Sequence, residues 1–344
     1  MRKQTLKGLA VGLVAVVGLA ACGSSSSSDT TVAAGAAGLA CEVTDTGGVD
    51  DKGFNQIAHE GLLQAESELG VTTDLLESAT DADYAPNLQS FVDKGCNVIV
   101  TVGFLLADAT KAAAEANPNV QFAIVDSNTS APNVQGLTFA TDQPSFLAGY
   151  MAAATTKTGI VGTFGGINIP PVAIFMQGFA KGVEYYNAQK GTSVKVLGWD
   201  IAKQDGTFTG DFQDQTKGTS TAKSMADEGA DIIFPVAGPV GLGASQFAMD
   251  SAGKVKIIGV DVDMSISNPT QAEVYVASVL KKIDAAVLQA VKDALAKTGG
   301  GTDYLGTLEN GGVGVAITST ITPELQAELD AVTAGIIDGS IVTK

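Results

Sequence analysis

The sequence predicts an α/β protein built as two doubly wound parallel-sheet lobes with a hinged cleft between them. Three observations carry that prediction. Short apolar runs alternate with longer amphipathic runs from residue 39 onward, and the whole alternation occurs twice. The strand-like runs are apolar throughout, as in a parallel sheet covered on both faces. The chain has 344 residues, 45% of them hydrophobic, enough for two cores.

In order, 39–44 reads as a strand, 55–69 a helix, 71–76 a strand, 85–94 a helix, 97–102 a strand and 106–117 a helix. A strand at 120–125 completes the first set. A helix near 144–156 leads into the second, with strands at 159–164, 194–199, 231–236 and 256–260 and helices at 173–187, 211–228 and 241–251. The tail offers a strand at 273–279, a helix at 281–297, short strands at 305–308 and 313–317, and a helix at 323–338. It is too short for a third domain and is expected to cross back between the lobes. The expected division is 39–143 plus about 271–300 in lobe 1, and 144–270 plus about 301–344 in lobe 2.

Residues 1–21 read as a lipoprotein signal peptide. Arg2, Lys3 and Lys7 precede a short apolar stretch, and Leu19-Ala20-Ala21-Cys22 places small residues before a cysteine. The run is shorter than the roughly 20 residues that span a bilayer. Leu-Ala-Ala-Cys resembles the lipobox of bacterial lipoproteins, which makes Cys22 the expected lipidation site. Residues 22–38, rich in Ser, Gly and Ala, read as a flexible tether reaching about 20–25 Å. The expected location is the outer face of the cytoplasmic membrane, held by lipid. In that compartment Cys41 and Cys96, each at the start of an apolar run, form a candidate disulfide, with two buried free thiols as the alternative.

Composition excludes several functions. Without the signal segment the chain carries 17 Lys+Arg against 37 Asp+Glu, a formal charge of −20, which repels nucleic acid. One histidine and three scattered cysteines give no zinc or iron–sulfur pattern, so no metal and no cofactor is expected. No nucleophile elbow or phosphate loop occurs, and the chain is not expected to be an enzyme.

Ligands of open α/β sheets bind beyond the carboxyl ends of the strands. There the sequence places Asp45, the 46–54 Gly/Asp loop, Asn55, Gly103-Phe104, Asp126, Gly165-Gly166, Trp199-Asp200, Gly238-Pro239 and Asp261. Carboxylates suit a hydroxyl-rich ligand such as a sugar diol, and neighbouring aromatics (Phe54, Phe175, with Trp199 as a third candidate) suit a flat ring. Competing readings stand beside these: Asp50 and Asp51 as caps of the first helix, and Phe175 as a core residue spaced with Phe179 and Val183. Lys281 opens a helix, where the dipole disfavours it, and His59 is a solvent-facing helix residue.

The stretch from Val43 to Gln56, Val-Thr-Asp-Thr-Gly-Gly-Val-Asp-Asp-Lys-Gly-Phe-Asn-Gln, resembles the opening signature of the basic membrane protein family, PnrA-like purine-nucleoside-binding lipoproteins of ABC importers. Gly165-Gly166 with Phe175 and Gln177-Gly178-Phe179, Ile258-Gly259-Val260-Asp261, and Ser278-Val279-Leu280-Lys281-Lys282 extend the resemblance to the C-terminus. The Gly238-Pro239-Val240-Gly241 turn departs from the Gly-Gly-Thr-Gly type expected there. The resemblance implies a type I periplasmic-binding-protein fold, with Asp45 and Asn55 on polar edges of a nucleoside and Phe54 and Phe175 on its base. Asp126, Asp261 and Lys281 would bind ribose and nearby base atoms, with Gly238 allowing close backbone approach. The implied partners are a nucleoside, a permease with its ATPase and the membrane lipid, around a monomer. The runner-up is a receptor component of the same fold that binds a sugar or a signalling ligand.

Overall fold

The computed structural model describes residues 38–344. The expected signal peptide, the lipidation site Cys22 and nearly all of the tether lie outside the described residues. The chain opens with β1 (Leu39–Thr44), α1 (Phe54–Leu69), β2 (Thr72–Leu76), α2 (Tyr84–Lys94), β3 (Val98–Val102), α3 (Ala107–Ala116), β4 (Gln121–Val125) and β5 (Val134–Phe139). Helices α1 and α2 stop at Gly70 and Gly95, both left-handed. The cysteines meet because β1 and β3 are neighbours: Cys41 stands opposite Ile99, and a disulfide joins it to Cys96.

A second set follows: α4 (Asp142–Thr155), β6 (Ile160–Gly165), α5 (Pro170–Lys190), β7 (Lys195–Leu197), β8 (Trp199–Asp200), β9 (Asp205–Gly206), α6 (Gln215–Asp227), β10 (Ile232–Val236), α7 (Pro239–Asp250), β11 (Lys256–Asp261), a single turn α8 (Met264–Ser267) and β12 (Tyr275–Lys281). The chain then runs through α9 (Ile283–Ala296), β13 (Asp303–Gly306), β14 (Val313–Ile317) and α10 (Pro323–Ile337).

Two six-stranded sheets result, in the orders β13-β5-β4-β3-β1-β2 and β14-β12-β11-β10-β6-β7. Every pairing is parallel except β14 against β12. Each sheet is covered on both faces. In the first lobe, α1 and α9 bury Ile57, Leu62, Val287 and Val291 on one side, while α2 and α3 bury Leu88, Phe91 and Ala114 on the other. In the second, α5 packs Phe175, Met176 and Phe179 on one face and α6–α7 pack Met225, Val240 and Ala244 on the opposite one.

Four expectations are corrected. The strand β5 was not foreseen. The tail crosses at other points: β12 belongs to the second sheet, between β11 and β14, whereas β13 pairs with β5 at the edge of the first. The segments 275–281 and 303–306 therefore sit in the lobes opposite to those expected. The expected strand 194–199 breaks at Gly198, whose φ of 83° turns the chain out of the sheet, so Trp199 begins a separate two-stranded ribbon. Finally, Lys281 does not open a helix. It is the last residue of β12, opposite Val313, and α9 starts two residues later.

Candidate functional site

The carboxyl ends of β1, β3, β4, β10, β11 and β12 converge on a cavity of about 590 Å³, counting the part open to solvent. The first lobe lines it with Asp45, Thr46, Asp51, Phe54, Asn55, Gly103, Phe104 and Asp126. The second contributes Ile169, Pro171, Val172, Phe175, Phe212, Val236, Ala237, Gly238, Pro239, Val260, Asp261 and Lys281. All eight residues expected at the cleft are thus brought together in one cavity. The lobes meet around it through Asp126 and Lys281, 2.5 Å apart, and through the Ser267 hydroxyl, which donates to the Lys52 carbonyl.

Two aspartates occupy equivalent places. Asp126 directly follows β4 and Asp261 ends β11, with φ of 67° and 68°. A non-glycine residue in the left-handed region carries strain, which aspartate tolerates better than most. That turn points a carboxylate into the cavity from each lobe.

Lys281 is 2% exposed, with its ammonium 4.8 Å from the centre of the Phe54 ring, 5.3 Å from Phe139 and 5.7 Å from Phe175. Three aromatic faces and one carboxylate thus hold a buried cation. Asp51 accepts N–H bonds from Gly53, Asn55 and Gln56, so it caps α1 while also lining the cavity; Asp50 is exposed. Phe175 serves both suggested purposes: it lines the cavity and packs its ring against Phe234, centroids 6.3 Å apart.

Three carboxylates, Asp45, Asp126 and Asp261, share one ammonium. Burial, against a hydrogen bond from Asn55, pushes Asp45 up to about 8, with Asp51 and Asp126 adding repulsion. Burial likewise pushes Asp261 up to about 7, opposed by Lys281. Asp126 is raised by burial and drawn back by Lys281. Near neutrality Asp45 is therefore largely a carboxylic acid able to donate a hydrogen bond. Asp261 Oδ1 and Asn55 Oδ1 are buried acceptors with no protein partner, which suits a ligand bringing donors.

Trp199 does not reach the cavity. Its indole N–H donates to Gln177 and its ring stands edge-on to Phe208. The second-lobe aromatic that the sequence reading missed is Phe212, on the loop after the ribbon. Its ring lies where a side chain on Gly166 would stand, within 2.3 Å of an added Cβ. The signal was there as Gly165-Gly166 facing Gly210-Asp211-Phe212, but without periodicity nothing in the sequence aims that ring. His59 is not simply solvent-facing either; its Nδ1 sits 3.7 Å from the buried Glu42. Among the described residues no group of acidic, histidine or cysteine side chains forms a metal site, and no helix is long and apolar enough to cross a membrane.

A family model described as ABC transporter substrate-binding protein PnrA-like matches residues 39–344. An ABC transporter nucleoside-binding protein BmpA of Lactococcus lactis subsp. cremoris is 33% identical over 99% of both chains. Basic membrane protein A1 of Borrelia garinii subsp. bavariensis is 32% identical over 86% of this chain and 85% of its own. A solved ABC transporter solute-binding protein from Aeropyrum pernix K1 superposes with a TM-score of 0.76 at 27% identity, covering 89% of this chain and 94% of the other.

Proposed function

The chain belongs to the PnrA-like family of ABC transporter substrate-binding proteins, and from that premise we propose that it captures a purine nucleoside between its lobes. The observation that carries this reading is the pair of left-handed aspartates, Asp126 and Asp261, which bring one carboxylate from each lobe to a cavity walled by Phe54, Phe175 and Phe212. A ribose supplies hydroxyl donors to such carboxylates, and a flat base fills the space between aromatic rings. Asp45 and Asn55 meet the polar edge of the base, Asp45 as donor in its acid form and Asn55 through its free Oδ1. Lys281 holds Asp126 in place and offers its remaining protons to ribose oxygens. Gly238, with φ 52°, leaves the second-lobe wall without a side chain.

Ligand contacts from both lobes stabilise the closed arrangement, so binding and closure are one event. The closed form is then presented to a membrane permease with its ATPase. The relative named as nucleoside-binding supports the ligand class, and the lipobox-like Leu-Ala-Ala-Cys supports lipid anchoring at Cys22 on the outer face of the membrane.

Calorimetry of the purified protein against inosine, adenosine, guanosine, ribose, free purine bases and monosaccharides tests the reading. Saturation at 100 times Kd stabilises the fold by about 2.7 kcal/mol, which a melting curve also detects. Binding of a nucleoside, with ribose and base alone at least 100-fold weaker, is the expected result. Binding of a monosaccharide and no nucleoside would replace the ligand class.

A further inference from the structure

Glu42 is a core residue of β1 that the ligand cleft does not use. It is wholly buried, flanked by Leu75 on β2 and Val100 on β3, and neither of its carboxylate oxygens has a hydrogen-bond partner. A carboxylate in such a place is rare unless something compensates it. Its neighbour is His59, the single histidine of the chain, on α1, with Nδ1 3.7 Å from Glu42 Oε1 and a side chain 23% exposed. The other charged groups that act on His59 are both acidic, Glu60 on α1 and Glu77 after β2, and none besides His59 acts on Glu42.

Both partners stand on elements that end in the cleft. Three residues after Glu42 comes Asp45, and α1 begins with Phe54 and Asn55. We propose that Glu42 and His59 are positioning residues that lock α1 onto β1 while they share a proton, and thereby make ligand capture stronger below neutral pH than above it. The cleft end of this proposal rests on the ligand-binding reading given above.

The physical reason is the fate of the last proton. With one proton on the pair, either an imidazolium faces the carboxylate or a neutral carboxyl faces a neutral ring; both are tolerable in a core. When that proton leaves, a bare carboxylate remains in an apolar layer, and outward movement of α1 is the way to hydrate it. Burial raises Glu42, and the contact with Glu42 raises His59 against partial burial. Both groups then bind protons more tightly folded than unfolded, so the stability they contribute is present at low pH and lost as pH rises through their folded values.

A one-histidine chain makes the test direct. In protein purified without a histidine tag, the single imidazole Cε1–H resonance followed from pH 5 to 9, without ligand, should titrate above 6.5, and its midpoint should fall in Glu42→Gln. Inosine affinity should weaken from pH 6 to 8.5 in the wild type. Asp45 and Asp261 also titrate in that range, so the pair's share is the difference from Glu42→Gln, which should reduce the pH dependence at least threefold. An unmoved histidine midpoint in Glu42→Gln, or an unchanged affinity profile, overturns the proposal. Should no nucleoside bind, the ligand reading fails by itself, and amide exchange along α1 still decides: faster exchange at pH 8.5 in wild type but not in Glu42→Gln supports the lock, and equal profiles overturn it.

Discussion

Replacing Lys281 by methionine removes the ammonium that three buried carboxylates share while keeping the side chain's length and apolar stem. Lys281 is 2% exposed and bonded to Asp126, and three aromatic rings surround it. Breaking a buried ion pair from one side costs about 3–5 kcal/mol, because the partner stays buried and uncompensated. The described fold has roughly 300 residues, and at about 2.1 cal/mol/K per residue its unfolding entropy is about 0.6 kcal/mol/K, so Tm should drop by roughly 5–8 °C at pH 8.5. The cost should depend on pH in a defined direction. Lys281 lowers Asp45, Asp126 and Asp261; without it all three rise further, and the folded variant takes up protons that the wild type does not. Raised folded values add stability as pH falls. Urea denaturation at pH 8.5 and pH 5 should therefore show a gap of about 3–5 kcal/mol shrinking below about 2 kcal/mol. A gap equal at both pH values, or a Lys281→Met protein as stable as wild type at pH 8.5, would refute the idea that Lys281 is the counter-ion of this cluster.

Three further outcomes are expected. Asp261→Asn keeps a residue tolerant of the left-handed turn but loses a charge-assisted contact of about 1.5–3 kcal/mol, so nucleoside affinity measured by calorimetry should fall about 10- to 150-fold with Tm nearly unchanged. Phe212→Ala should lose about 1–3 kcal/mol of base stacking, whereas Trp199→Phe, a core position outside the cavity lining whose indole bonds Gln177, should lower Tm and leave affinity within twofold. Removing the Cys41–Cys96 bond by a double alanine substitution opens a loop spanning 55 positions, and urea unfolding should show a loss of about 4 kcal/mol.

What could be read from the sequence follows from what periodicity encodes. Buried parallel strands such as β3, Val-Ile-Val-Thr-Val, announce themselves, and so do helices that stop at Gly70 or Gly95. β5 stayed hidden because Val-Gln-Gly-Leu-Thr-Phe mixes polar residues and a glycine, the places where Asp293, Asp303 and the Tyr304 carbonyl approach. Asp45, Asp126, Gly238 and Asp261 were legible because strand ends are where such folds expose chemistry, whereas Phe54, Asn55 and Phe175, on helices, took their roles from the family resemblance. Lys281 was legible as a residue but not as a strand end, since only pairing with β14 reveals that β12 runs so far. Phe212 and the Glu42–His59 contact depend on tertiary approach: a loop ring against Gly166, and a strand residue beneath a helix. Neither has a local signature.

The route of the chain through β12, α9, β13 and β14 constrains how the protein acquires its structure. The first sheet lacks its edge strand until residues 303–306 arrive, by which point all but the last strand and helix of the other lobe have been laid down. A chain emerging N-terminus first therefore cannot finish one half and then begin the next. Both halves complete together, near the end of synthesis, and a cut between residues 165 and 275 leaves two fragments that must find each other to restore both sheets.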